Sequence, residues 1–198
     1  PTLTESLTMK RIVAITGGIG AGKSVVSRAL RSMGYPVYDC DSEAKALMDS
    51  DAEMRREIGR RISAEALNAD GTLNRKKLAE TVFGDSGKLT ALNTIVHGAV
   101  RSHFRQWVER QTAPTVFIET AILYESGFDS LVGEVWEVTA PKEIRIARVC
   151  SRNGLERDAV EKRIASQSAE SRPHHRLIVN DGNRPVITQI MQLLGNDL

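Results

Sequence analysis

The run Gly17-Gly18-Ile19-Gly20-Ala21-Gly22-Lys23-Ser24 holds the most explicit chemistry in this 198-residue chain. It satisfies G-x-x-x-x-G-K-[ST], the pattern of a loop that cradles phosphate. Glycines let successive backbone N–H groups curl inward around a phosphate, in conformations closed to residues with a Cβ. A helix opening near Gly22 adds the positive end of its dipole. Lys23 supplies a point charge for the β- and γ-phosphates, and the Ser24 hydroxyl is a hard oxygen ligand for Mg²⁺. The apolar run Ile12–Ile15 precedes the motif and a helical pattern follows it. That placement favours a nucleoside triphosphate site over an ordinary glycine-rich turn.

A switch GTPase would need D-x-x-G and N-K-x-D, and neither is present. Nor is there the apolar strand ending in Asp that motor and transporter ATPases carry. A small kinase remains, and it needs an acceptor site, a base and a cationic lid. Asp39 and Asp41 end the second strand pattern, Tyr38-Asp39-Cys40-Asp41. Strand C-termini of a parallel sheet share one edge, so this pair is expected across the ligand crevice from the loop. Residues 39 and 41 share a direction on an extended chain, and a carboxylate there can orient or deprotonate an acceptor hydroxyl. Capping of the next helix explains Asp41 equally well. Arg145, Arg148 and Arg152 fall at i, i+3, i+7 on one stripe. Such a stripe either closes over transferring phosphate or is a solvated basic face near a helix C-terminus. His97, Arg101 and Arg105 form a second stripe, which suits an anionic acceptor or plain surface. Glu119 and Glu125 bracket the end of the third strand pattern, where Glu119 can hold a Mg²⁺-bound water. Cys40 and Cys150 read as packing residues.

These groups need a scaffold, and the hydrophobic pattern supplies one. Strands are expected at Ile12–Ile15, Pro36–Asp39, Thr115–Thr120, Glu134–Thr139 and Leu177–Val179, alternating with helices. That alternation means an α/β fold, a parallel sheet with helices on both faces. Residues 42–112 carry only helical periodicity, with Met54, Ile58 and Ile62 on one helix. A long helix there places Leu89, Leu92, Val96, Ala99, His103 and Trp107 on one stripe. Three parts are expected: a nucleotide-binding core at 9–41, 113–140 and 174–198, a helical acceptor domain at 42–112, and a lid at 141–173.

Composition sets the outer bounds. Hydrophobic residues make up 41% and charged residues 26%, the values of an ordinary globular domain rather than a disordered one. Twenty-seven basic against 25 acidic residues leave net +2, too near neutral to argue for nucleic-acid binding. No apolar run is long enough to span a membrane. Two cysteines cannot build a disulfide framework, and a reducing cytoplasm fits them best. The residues Pro1 to Thr8 carry no signal-peptide pattern, and Met9 looks like a natural start.

On these residues the chain resembles the dephospho-CoA kinase family of P-loop kinases. The resemblance rests on Ile15-Thr16 with the Gly17–Ser24 motif and on Gly34-Tyr35-Pro36-Val37-Tyr38-Asp39-Cys40-Asp41. It continues through Asp70-Gly71-x-Leu73-Asn74-Arg75, Val82-Phe83, His97-x-x-x-Arg101, Glu125, Arg148-x-x-x-Arg152 and Val179-Asn180. It implies a three-layer α/β/α fold and Mg²⁺- and ATP-dependent phosphorylation of the ribose 3′-hydroxyl of dephospho-CoA. Asp41 would be the base, Lys23, Arg148 and Arg152 its catalytic companions. ATP would lie against Gly18, Ile19, Gly20, Ala21, Gly22, Lys23, Ser24, Val25, Arg148 and Asn180. The acceptor would meet Asp39, Asp41, His97, Arg101 and Glu125. Gly98 stands where the family often has Pro, and Ala121-Ile122-Leu123 where it often has Pro-Leu-Leu. Both departures lie in the acceptor region. Other readings are a kinase for a different small acceptor, such as a nucleoside monophosphate or shikimate, and a non-catalytic nucleotide-binding regulator.

Overall fold

The computed structural model describes residues 10–167, 172 and 174–195. The expected extension at Pro1 to Thr8 and part of the expected lid, 168–171 and 173, lie outside them. The chain divides into two compact units: residues up to Tyr38 together with those from Gln111 onward, and Asp39–Arg110.

The first unit is built on β1 (Arg11–Thr16), β2 (Val37–Asp39), β3 (Thr115–Glu119), β4 (Glu134–Thr139) and β5 (Arg176–Val179). Their order in the sheet is β2-β3-β1-β4-β5. The pairings of β1 with β3, β1 with β4, and β4 with β5 are parallel. Strand β1 is central and buried from Ile12 to Thr16, as expected for a strand covered on both faces. Because β3 lies on one side of β1 and β4 on the other, the chain reverses direction at the C-terminal end of β1. In such sheets that switch point is where ligands bind.

Helices α1 (Lys23–Ser32), α6 (Lys142–Asn153), α7 (Arg157–Ala165) and α8 (Val186–Leu194) belong to this unit. Val26 and Leu30 of α1 and Ile190 of α8 pack with Val13, Phe117 and Trp136 in one buried cluster. The Phe117 and Trp136 rings lie 5.1 Å apart and tilted. The indole N–H of Trp136 donates to Glu134 Oε1 at 2.8 Å, so its burial leaves no orphan donor. A second cluster joins Ile146, Val149 and Val160 of α6 and α7 to Ile19. That contact seats the arginine-bearing helix on the glycine-rich loop.

The second unit is helical: α2 (Cys40–Ser50), α3 (Ala52–Arg61), α4 (Arg75–Val82) and α5 (Ser86–Arg110). Asp39, Asp51 and Asn74 cap the first three through side-chain oxygens. Each cap satisfies backbone donors that the first turn leaves open. Met54, Ile58 and Ile62 do form a core stripe, joined by Leu78 and Ile95. The long helix departs from its expected stripe. Leu92, Val96 and Ala99 pack on that core, but Leu89 is exposed, and in the second half Val100, Phe104 and Val108 are buried. A 25-residue helix thus buries two different faces along its length. One sequence period drawn through all of it cannot describe both.

Candidate active site

The loop after β1 is shaped by what surrounds it. Gly17 has φ +143°, and a Cβ there would run into the Val138 carbonyl of β4. Gly22 has φ +101° and caps α1 without any side-chain bond, its own carbonyl accepting from Val25 N–H at 2.9 Å. A Cβ on Gly22 would meet the Asn180 amide. Asn180, just after β5, is buried; its Nδ2 donates to Ala21 O at 3.0 Å. Lys23 folds back, with Nζ donating to Gly17 O at 2.8 Å. Ser24 and Val25 are exposed in the first turn of α1. Backbone donors, an ammonium group and a hydroxyl around one glycine loop are chemically able to cradle a phosphate and to offer an oxygen ligand beside it.

Helix α6 brings cations to that loop. Arg145 Nε donates to Ile19 O at 2.9 Å, and Arg148 Nη1 lies 3.4 Å from the carbonyls of Gly20 and Ala21. Arg148 Nη2 also reaches Asn180 Oδ1 at 3.4 Å. Burial lowers the pKa of Arg145 from its usual value, yet the guanidinium stays charged. Of the arginine stripe, Arg145 and Arg148 therefore meet the loop. Arg152 is exposed at the helix end, bonded to Asn153 Oδ1 at 2.8 Å. Gln167 reaches the same loop from beyond α7, accepting the Ile19 N–H at 2.7 Å. Its type and position gave no signal in the sequence.

A cavity of about 620 Å³ adjoins the loop, lined by Thr16, Gly17, Glu125, Glu137, Arg145 and His175 among others. Glu125 is exposed there. Glu119 closes β3 opposite Ile15 of β1 and is half-buried. Glu137 and His175 were not anticipated. Glu137 is one polar residue within the β4 pattern and His175 belongs to a polar stretch ahead of β5, and only the sheet register puts them together.

The remaining candidates belong to the helical unit. Asp39 accepts from the backbone N–H groups of Asp41 and Ser42, both at 3.1 Å. This corrects two expectations. The cap is Asp39, not Asp41, and the two do not share a direction on an extended strand, because the helix already begins at Cys40. Asp41 is exposed in the first turn with its carboxylate outside the cap. His97 and Arg101 are half-buried on α5, while Arg105 is exposed. A cavity of about 560 Å³ in this unit is lined by Gly98, Ser102 and His103 with residues of α2 and α3. His103 Nδ1 lies 3.6 Å from Glu43. Both cysteines are free, Cys40 buried and Cys150 packed beside the Ile146 cluster.

The dephospho-CoA kinase family model matches residues 11–185. A dephospho-CoA kinase of Bacteroides fragilis is 38% identical over 187 residues, covering 92% of this chain and 91% of that protein. Among solved structures, TT1252 from Thermus thermophilus is similar with a TM-score of 0.77 and 34% identity, covering 96% of this chain and 98% of that one. Dephospho-CoA kinase from Campylobacter jejuni shares the fold at a TM-score of 0.67 and 23% identity, over 94% of this chain and 96% of that one.

Proposed function

The chain belongs to the dephospho-CoA kinase family, and on that premise we propose the reaction and the division of labour among its residues. It transfers the γ-phosphoryl group of ATP to dephospho-CoA, giving coenzyme A and ADP, the last step of coenzyme A synthesis. The observation that carries this reading is the Gly17–Ser24 loop at the switch point of the sheet, with Arg145, Arg148 and Asn180 bonded to or around it. Little covalent chemistry falls to the protein in phosphoryl transfer; it positions the reactants and offsets their charge.

In our assignment the residues from Gly18 to Val25, Lys23 among them, hold the phosphates of ATP. Arg148 and Arg152 act from a lid formed by α6 and α7, and Asn180 lies on the adenine side. The helical unit offers the acceptor His97 and Arg101 for its anionic groups and Asp39 for its hydroxyls, and the segment after β3 offers Glu125. Asp41 accepts the proton of the ribose 3′-hydroxyl as that oxygen bonds to the γ-phosphorus. The bond from the γ-phosphorus to the bridging oxygen breaks, and ADP leaves with the electron pair. Mg²⁺ suits the donors present, the Ser24 hydroxyl and the Glu119 carboxylate through water, and when bound it neutralises phosphate charge. Among the described residues there is no cluster of three metal-ligating side chains. Two free thiols suit a reducing cytoplasm. Among the described residues no helix is long and apolar enough to cross a membrane.

The test is ADP release with Mg²⁺ and ATP, comparing dephospho-CoA, AMP, dTMP, shikimate and no acceptor. Release dependent on dephospho-CoA alone is the expected result. Turnover only with another acceptor would keep the nucleotide side and overturn the acceptor. Binding of ATP with no turnover on any of them would favour a non-catalytic regulator.

A further inference from the structure

Behind the cavity in front of the loop, three polar side chains form a chain that phosphate binding does not use. Glu137 comes from β4, His175 stands just ahead of β5, and Tyr124 lies in the segment that follows β3. The His175 side chain is only 1% exposed. Its Nδ1 is 3.0 Å from Glu137 Oε2, and its Nε2 is 2.6 Å from the Tyr124 hydroxyl. A carboxylate only accepts, so the 3.0 Å contact with Glu137, shorter than the 3.4 Å approach of the Arg172 N–H to the same nitrogen, assigns the proton to Nδ1 and leaves Nε2 to accept from Tyr124. The Tyr124 ring lies nearly parallel to His175, at 8°, and carries the Arg172 guanidinium 3.6 Å above its face. Burying an imidazole is costly unless both nitrogens are paired, and here both are.

The chain ends on the segment that carries Glu125. Leu123, Ser126 and Phe128 of that segment are buried, so its apolar side is fixed by packing. Ser126 N–H donates to Ile122 O, and Gly127 N–H to Tyr124 O, both at 3.0 Å, closing a tight turn around Glu125. Tyr124 is the polar anchor of the same turn. Glu125 projects into the cavity that Glu137 and His175 also line.

We propose that His175, held by Glu137, is a positioning residue that sets the direction of Glu125 through Tyr124, and with it the affinity for the acceptor. This rests on the acceptor role given to Glu125 above. A carboxylate offers strong recognition of hydroxyl donors only when it is pre-aimed, and a misplacement of about 1 Å is enough to lose much of the effect.

Steady-state kinetics of the full chain with ATP and dephospho-CoA test it. Tyr124→Phe keeps the ring and its stacking and removes only the hydroxyl. It is expected to raise KM for dephospho-CoA about tenfold with KM for ATP unchanged. Glu125→Ala should raise the same KM, and the double variant should be no worse than Glu125→Ala alone. Glu137→Ala should match Tyr124→Phe, and Glu137→Gln, which keeps an acceptor for Nδ1–H, should recover most of the loss. That last pair carries the test if Tyr124→Phe does not fold. An acceptor KM unmoved by Tyr124→Phe but raised by Glu125→Ala overturns the proposal alone. An acceptor KM unmoved by Glu125→Ala overturns the role of Glu125 and the proposal with it. Equal rises in both KM values would mark a general loss of structure and also overturn it.

Discussion

Gly22→Ala separates two costs that the loop geometry predicts. At φ +101° an alanine is strained, at about 1–3 kcal/mol. Its Cβ also meets the Asn180 amide, which is buried and held on one side by Ala21 O at 3.0 Å and on the other by Arg148 at 3.4 Å. Neither neighbour is loose, so Asn180 must leave its place and give up a buried hydrogen bond, about 1–2 kcal/mol more. The single substitution should therefore cost about 2–5 kcal/mol. Asn180→Ala alone should cost about 1–2 kcal/mol, since the Ala21 carbonyl keeps Arg148 Nη1 at 3.4 Å. In the double variant the clash is gone, and only the strain and the missing bond remain. Its cost should match that of Gly22→Ala, about 2–5 kcal/mol, short of the sum by about 1–2 kcal/mol. Urea unfolding of the four proteins followed by far-ultraviolet circular dichroism measures each term. Additivity within about 0.5 kcal/mol would refute the reasoning, because independent sites add to that precision and packed ones do not.

Other outcomes follow from the same geometry. Asp41→Asn should retain ATP affinity and lose about 10²–10⁴ in kcat; weakened ATP binding with normal kcat would remove it as the base. Lys23→Ala should damage both ATP affinity and turnover in a calorimetric and kinetic comparison. Arg145→Ala should weaken ATP binding about tenfold while Arg152→Ala changes it much less, because only the former guanidinium reaches the loop; the reverse order in a binding titration would refute this. Hydrogen bonds from the Thr72 hydroxyl and N–H hold the Asp70 carboxyl below the usual range. Its contribution to stability is present above the unfolded value near 3.9 and is lost as pH falls through the folded value. Thermal unfolding of Asp70→Asn should accordingly show a shallower loss of Tm below pH 4 than the parent protein, and identical slopes would count against that hydrogen-bonded turn.

The Gly17–Ser24 loop, the parallel sheet and the helical run after β2 were legible because each is written in neighbouring residues. Periods of two and 3.6, glycines and caps act over one turn or one strand. The arginine stripe was legible as a stripe, yet its spacing did not say that Arg145 and Arg148 turn to the loop and Arg152 does not. That choice depends on how α6 seats on Ile19 through Val149 and Ile146. The Asp39–Asp41 pair departs from its expected shared direction for a local reason: the strand ends at Asp39 as expected, but the helix begins at once at Cys40, and Asp39 itself takes the cap.

By itself the sequence determined the glycine-rich loop, the order of strands and helices, and the residue types that stand at the strand ends, since all of these are set by short-range spacing. The tertiary structure decided which distant groups meet. Asn180 lies over Gly22 and bonds Ala21 from 159 positions away, and Tyr124, Glu137 and His175 join across three separate segments. Those meetings follow from the parallel register of β1, β4 and β5, which aligns Thr16 with Glu137 and Glu137 with Leu177. Register is fixed by the packing of both sheet faces at once, and no window of the chain contains that information.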